Sequence, residues 1–330
     1  VWGLLALLGL GLAIALGLGA WITGHHLRRP PRKTYGWALA RNLPGDPSEL
    51  EDSLDFDALE LDLRGDDAAL KNFGLSPVWD IEGRDPSGPV IVWTPGWGDS
   101  RVGSLARVRH LAPHAKRVIV WDPPGQGETS DRWPMAVRED RMLCELARWA
   151  SETHASPLVL AGSSMGAGLS IVSAVRLAEG EGVEVVGVIA EAPYRRPTSP
   201  ARNYLRATGH PHTWNIQSVY ALMGLRLGVG WDWSKAHAGR GFDRGAWASE
   251  LRCPLLVLHG DRDVISDPED GQQIAANAPG AELIMIDGGG HNDLWLKPEF
   301  ERQCSAAVGR FVRSLAPFPL AGEAGREADG

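Results

Sequence analysis

Through the middle of the chain, short runs of consecutive apolar residues alternate with longer stretches of helical periodicity. The runs are Pro89–Trp93 (PVIVW), Arg117–Trp121 (RVIVW), Pro157–Ala161 (PLVLA), Val185–Ala190 (VVGVIA), Pro254–His259 (PLLVLH) and Glu282–Ile286 (ELIMI). They are aliphatic, lack in–out alternation and are bounded by Gly or Pro, the pattern of strands covered on both faces. Between them, Ser104–Ala115, Val137–His154, Met165–Ala178, Pro268–Ala278 and Pro298–Leu315 suit helices. Repeated strand–helix units predict an α/β fold, with a mainly parallel sheet of about eight strands and helices on both faces. Ala58–Leu63 and Val78–Glu82 are candidate leading strands, for which an antiparallel arrangement is open. The interval from Tyr194 to Glu250 breaks the rhythm and holds Tyr204, Trp214, Tyr220, Trp231, Trp233 and Trp247. A structureless loop of that length is unusual in a compact domain, so a helical insertion is predicted there.

The N-terminal pattern is different. Val1–Gly24 carries no charge. As a helix it reaches ~36 Å, enough for a hydrocarbon core of ~30 Å. Trp2 and Trp21 lie near its ends, where interfacial indoles are expected. Arg28, Arg29, Arg32 and Lys33 follow directly, and the positive-inside rule then keeps the rest of the chain cytoplasmic. The expectation is a single-pass membrane helix. A buried core helix fits a wholly apolar run followed by charge less well. A cleaved signal peptide is the other rival, but its apolar region usually spans only ~7–15 residues. Gly9, Ala13 and Gly17 could form a small-residue helix contact, a spacing that arises easily in a Gly/Ala-rich segment. The expected organisation is an anchor over 1–24, a linker over 25–57, an α/β domain over 58–315 with its insertion at 194–250, and a flexible tail over 316–330. The acidic stretch Asp46–Asp67 reads as a solvated face.

Charge narrows the function classes. The 330 residues contain 33 Lys and Arg against 41 Asp and Glu, a net charge of −8. That argues against a nucleic-acid partner held by a basic surface. Cys144, Cys253 and Cys304 lie far apart, so neither a disulfide framework nor a thiolate zinc site is expected. Trp outnumbers Phe, 14 to 6, which directs attention to where the indoles sit.

The candidate chemistry lies at the predicted strand ends. Gly162-Ser163-Ser164-Met165-Gly166 is a G-x-S-x-G pattern between a predicted strand and a predicted helix. The flanking glycines clear space where strand and helix crowd, and the turn exposes the Ser164 hydroxyl. A serine needs a base, because its hydroxyl is a weak nucleophile at neutral pH. His259-Gly260-Asp261-Arg262-Asp263 follows one strand and Gly288-Gly289-Gly290-His291 the last. The expected triad is Ser164, Asp263 and His291, all at carboxyl ends of parallel strands, where open α/β sheets place their ligands. Ser163 as nucleophile, Asp261 as the acid and His291 as a mere turn residue are the weaker alternatives. The oxyanion donors are expected to be the backbone amides of Met165 and Trp97, with Gly98 as the fallback. Tyr204, Trp214, Trp231 and Trp233 are the candidate substrate-binding residues. His210, His212 and His237 lack an evident carboxylate or cysteine partner, so no metal site is expected. Gly125 and Gly127 fit a backbone turn better than a phosphate loop, and no cofactor is implied.

These motifs resemble the α/β-hydrolases. The resemblance spans roughly Leu59 to Leu315 and rests on PGWGDS (95–100), WDPPGQGETS (121–130), GSSMG (162–166), CPLLVLHGDRD (253–263) and GGGHNDLW (288–295). The His-Asn-Asp run at 291–293 and the N-terminal span look like the membrane-anchored α/β-hydrolase domain-containing protein 13 type. Serine aminopeptidase and monoacylglycerol-lipase-like branches are near neighbours. The resemblance implies the α/β-hydrolase fold, with a helical cap inserted before the acid-bearing strand, and the triad roles already given. Thr94-Pro95-Gly96 replaces the common His-Gly start of the oxyanion loop. The leading functional expectation is a membrane-anchored serine hydrolase acting on an ester of an apolar or lipid-like acyl substrate. Acyl transfer or aminopeptidase chemistry on the same triad is the alternative, and a non-catalytic membrane scaffold a more distant one. The sequence leaves the oligomeric state open.

Overall fold

Each of the six apolar runs becomes a strand, Arg117–Trp121 and Glu282–Ile286 with unchanged boundaries and the other four moved by a residue or two. The computed structural model describes residues 2–68, 70–71, 73–130, 138–180, 183–226 and 241–315. The strands are β1 (Phe56–Leu61), β2 (Ser76–Glu82), β3 (Val90–Thr94), β4 (Arg117–Trp121), β5 (Leu158–Ser163), β6 (Val185–Glu191), β7 (Leu255–Gly260) and β8 (Glu282–Ile286). Proline sets three of the starts. Pro89, Pro157 and Pro254 have no N–H to donate, so pairing begins one residue later. Their carbonyls still accept, from Lys116 N at 2.9 Å, Val90 N at 3.0 Å and Val188 N at 3.0 Å respectively.

The eight strands form one sheet in the order β1-β2-β4-β3-β5-β6-β7-β8. β1 runs antiparallel to β2, and β2 antiparallel to β4; the remaining pairs are parallel. Parallel neighbours require crossovers, which the helices supply. They are α1 (Trp2–Leu27), α2 (Tyr35–Leu39), α3 (Leu105–Leu111), α4 (Glu139–His154), α5 (Met165–Glu179), α6 (Thr198–Ala207), α7 (Trp214–Arg226), α8 (Arg244–Ala248), α9 (Pro268–Asn277) and α10 (Pro298–Ser314). Strand side chains alternate between two cores. Val90 and Val92 join Met142, Leu146 and Leu169 on one face, while Ile91 and Trp93 join Val108, Val308 and Phe311 on the other. This explains why the strands read as continuous apolar runs: both faces are dry.

Residues 25–57, expected as a linker, pack onto the domain instead. Thr34 caps α2, its hydroxyl accepting from Trp37 N at 3.3 Å. Ala38, Leu50 and Leu54 are buried in the core cluster that contains Trp79. These apolar residues have no helical or strand period, so nothing in the pattern signalled their burial.

α1 is apolar enough to cross a membrane, with a mean hydropathy of 2.2. Its residues from Trp2 to Leu18 are exposed, while Gly19, Thr23, Gly24 and Leu27 are buried. The buried end meets α7, where a side chain on Gly24 would touch Val219 at 3.6 Å. The insertion divides into two parts. α6 and α7 form the expected helical segment, with Tyr220 donating its hydroxyl to Pro197 O at 3.2 Å. α8 instead packs against α5 and α9. Trp247, at 1% exposure, is therefore a core residue of the domain and no part of the cap. Trp231, Trp233, His237 and the expected tail lie outside the described residues.

Truncating Trp247 to Ala should lower global stability by about 3–5 kcal/mol, as for other buried Trp residues. Urea unfolding of the detergent-solubilised protein checks this. A change below about 1 kcal/mol would return Trp247 to the periphery.

Candidate active site

β5 ends at Ser163 and α5 begins at Met165, so the whole strand-to-helix turn falls on Ser164. Its backbone has φ +52° and ψ −110°. A non-glycine residue there costs about 1–3 kcal/mol and persists only when its surroundings force it. Two neighbours do so. A side chain on Gly166 would collide with the Thr94 carbonyl oxygen, and one on Gly162 would lie 2.6 Å from that same oxygen. The Ser164 amide is fastened by donation to Glu191 O at 2.7 Å. Ser163 serves another purpose, its Oγ accepting from Gly96 N at 3.1 Å. Of the two adjacent hydroxyls, that of Ser164 is the one left unengaged among the described residues.

His291 and Asp263 come together from the loops after β8 and β7. His291 Nδ1 lies 2.7 Å from Asp263 Oδ2. A carboxylate only accepts, so Nδ1 is the protonated nitrogen and Nε2 is left as an acceptor. The second Asp263 oxygen accepts from Ile265 N at 2.8 Å and Ser266 N at 2.9 Å. His259 is also bound to this carboxylate, with Nε2 at 3.3 Å from Oδ2. Burial pushes the Asp263 carboxyl up, but the hydrogen bonds from His259 and His291 outweigh it and hold the group at about 2. Asp261 acts elsewhere, accepting from Gly288 N at 2.7 Å and tying the two loops together.

Ser164 and His291 line one cavity of about 400 Å³. No hydrogen bond joins them directly in this structure; in unliganded sites such contacts are often long and tighten with substrate. Trp97 and Met165 line the same cavity. The neighbouring amides are engaged. Gly96 N is held by Ser163, Gly98 N donates to Gln126 Oε1 at 2.6 Å, and Asp99 N donates to Gly96 O at 3.0 Å. Among the described residues, the Trp97 and Met165 amides have no protein acceptor. The Gly98 fallback is thereby removed as a donor.

Tyr204 lines the cavity and meets Trp97 edge-on, ring centroids 4.8 Å apart. Trp214 opens α7, but its side chain lies outside what is described, as do Trp231 and Trp233. Much of the indole count lies in the core, since Trp93, Trp121, Trp247 and Trp295 are all fully buried. His210 stacks on His26 at 3.7 Å between ring centroids. His212 lies with Nδ1 3.0 Å from His210 O. Gly125 and Gly127 adopt positive φ in the turn after β4. That turn closes around Asp122, which accepts from Arg101 N at 2.8 Å and Glu128 N at 3.0 Å.

A buried charge network behind the cavity escaped the sequence reading. Arg107 grips Glu191 through Nη2 at 2.7 Å and Nε at 3.2 Å. Trp295 Nε1 donates to Glu191 Oε2 at 2.7 Å. Arg107 also faces Asp99 at 3.6 Å, and Asp99 meets Lys33 at 2.9 Å. Burial alone would lower the Arg107 pKa, but Glu191 more than reverses this. Glu191 thus joins the Ser164 turn, α3 and the loop carrying His291. The available signal was one acidic residue ending an otherwise apolar run, Val185–Glu191.

A parallel sheet with a strained serine at one strand end, and an acid and a histidine at two others, defines a hydrolase-type α/β site. Residues 91–301 match the Alpha/beta hydrolase family, and the chain belongs to it. The esterase Pf2001 of Pyrococcus furiosus superposes with a TM-score of 0.62 at 18% identity, covering 87% of this chain and 96% of its own. A bacterial membrane phospholipase A, described as a virulence factor, superposes at 0.56 and 17% identity, covering 95% of this chain and 99% of its own. Est1E of Butyrivibrio proteoclasticus, solved with ferulic acid, superposes at 0.57 and 14% identity, covering 78% and 99%. At these identities the likeness is one of fold. No curated protein matches the chain.

The depressed Asp263 carboxyl predicts an acid-sensitive domain. Its native pKa lies below the ordinary 3.8, so its stabilisation is fully present above about pH 4 and is lost as pH falls towards 2. Asp263→Asn should flatten the acid limb of stability over that window, read by denaturant melts at stepped pH. An unchanged limb would show that the carboxylate contributes no such stabilisation.

Proposed function

We propose that this protein is a membrane-anchored serine hydrolase that cleaves esters of apolar, lipid-like acyl groups through an acyl-enzyme. The observation that carries the reading is the strained Ser164 facing one cavity with His291, itself hydrogen-bonded to the buried Asp263. Ser164 Oγ attacks the acyl carbonyl and its proton passes to His291 Nε2. Asp263 holds the tautomer and stabilises the imidazolium. The amides of Met165 and Trp97 donate to the developing oxyanion. His291 then protonates the departing alkoxide, leaving the acyl group on Ser164. Water attacks that ester with His291 again as base, releasing the acid and free enzyme.

The cavity lining supports ester over aminopeptidase chemistry. An aminopeptidase needs a carboxylate for the substrate ammonium. Asp99 is the acid on the described lining, and it is already held by Lys33 and Arg107. Aromatic and aliphatic neighbours such as Trp97, Tyr204, Tyr220 and Ile265 suit an acyl chain. α1, apolar on all sides and exposed from Trp2 to Leu18, supports anchoring. The arginines after it favour a cytoplasmic catalytic domain. Within the family, that anchor and the His291-Asn292-Asp293 run support the membrane-anchored domain-containing protein 13 type.

A fluorophosphonate probe should label the wild type, and Ser164→Ala should abolish labelling and lower kcat by at least ~10³-fold. Wild-type protein that is folded yet never labels would sink the reading. Because the base must be neutral to accept a proton, kcat/KM for a soluble ester should fall on the acid side. A rate that holds constant down to about pH 4 would remove His291 as the base.

A further inference from the structure

Part of the cavity wall comes from an unexpected part of the chain. Leu27, the last residue of α1, lines the cavity that holds Ser164. Pro31 and Lys33 line it too. These residues belong to the stretch that immediately follows the exposed apolar run, and they are fastened to the domain at several points. Trp97 Nε1 donates to Leu27 O at 3.1 Å. Ser100 Oγ donates to Lys33 O at 2.5 Å. Lys33 Nζ pairs with Asp99 at 2.9 Å. Arg32 donates to the Gly127 and Thr129 carbonyls. Pro31 lies against Gly98, where a side chain on the glycine would meet it at 3.4 Å. The helix end is seated on α7 as well: Thr23 Oγ1 donates to Pro211 O at 3.2 Å, and Asn215 donates to the Thr23 hydroxyl.

This arrangement has a chemical consequence. Leu27 stands beside Trp97, whose amide is the proposed oxyanion donor, and Trp97 meets Tyr204 edge-on. An acyl chain entering towards Ser164 would therefore meet Leu27 and Pro31 among its apolar contacts. Distance along the helix also matters. Trp21, 60% exposed, is the last exposed large apolar residue of α1, and Leu27 follows six residues later. At 1.5 Å per residue the cavity wall lies ~9 Å beyond the exposed apolar surface, slightly more than the depth of a lipid headgroup layer.

We infer that Leu27 and Pro31 are specificity-determining residues of the acyl-binding pocket, and that α1 is a retained working part of the enzyme whose substrate is a long-chain ester drawn from the bilayer. Removing α1 through Leu27 would open the cavity beside the Trp97 loop. The inference rests on the serine-hydrolase reading but goes beyond it, since that reading needs only Ser164, His291 and Asp263.

The test uses full-length protein in detergent micelles with p-nitrophenyl butyrate and p-nitrophenyl palmitate. Filling the wall with Leu27→Trp should lower the palmitate-to-butyrate ratio of kcat/KM about tenfold or more, and Leu27→Ala should raise it. Fluorophosphonate labelling of Ser164 reports in each variant whether the site is assembled. A labelled Leu27→Trp variant with an unmoved ratio overturns the inference and leaves the serine-hydrolase reading standing. A wild type that never labels overturns that reading first. If Leu27→Trp does not label, Pro31→Trp on the exposed side of the same wall carries the same comparison. Intact-mass measurement of active enzyme purified from membranes supplies an independent arm. A mass that includes α1 supports retention, and a fully active species starting after Leu27 refutes it.

Discussion

The site depends on one backbone constraint, the left-handed conformation of Ser164. No serine adopts it without compulsion, and the compulsion is steric: α5 starts so close to β3 that Gly162 and Gly166 have no room for side chains beside Thr94 O. The amide of the strained residue is held by Glu191 O at 2.7 Å. Glu191 in turn commits its carboxylate to Arg107 and Trp295. A single buried residue at the end of β6 therefore couples the Ser164 turn to α3 and to the loop that carries His291. Such a group is stable only when paired, because a lone buried charge costs several kcal/mol.

The loop after β3 is held by equally complete pairing. Gly96, Gly98 and Asp99 all have their amides satisfied, so the loop is rigid where it need not react. Among the described residues the Trp97 amide is left over, and the Trp97 ring is pinned by Leu27 O. Preorganised donors of this kind avoid reorganisation when charge develops. The segment from Leu27 to Lys33 acts here as a strap over the loop, which links the N-terminal helix to the chemistry through ordinary hydrogen bonds.

Much of the fold was legible along the chain because buried parallel strands must be continuously apolar. Six runs between Gly and Pro boundaries became six strands, and the three candidate site residues fell at strand ends. The parts that were not legible share a cause. Burial of Ala38, Leu50 and Leu54 arises from scattered residues without a period. Trp247 lies within the insertion by sequence yet packs between α5 and α9 in space. The Trp excess pointed to a substrate surface, whereas five of the ten indoles whose burial is described fill the core. An indole's position is decided by which surfaces meet, and one-dimensional spacing carries no record of that.

By itself the sequence determined the α/β architecture, the elbow serine, and the order in which an acid and a histidine follow it. These are local properties: hydrophobic period, proline and glycine positions, and motif context. Tertiary structure alone decided which loop amides remain free, that Asp263 and not Asp261 meets His291, and that Glu191 locks the turn. It alone brought Leu27 to the cavity wall, because that contact spans 70 residues from Leu27 to Trp97. Contacts between distant segments depend on how helices dock on the sheet, and docking is set by the packing of whole faces. No single stretch of sequence contains that information.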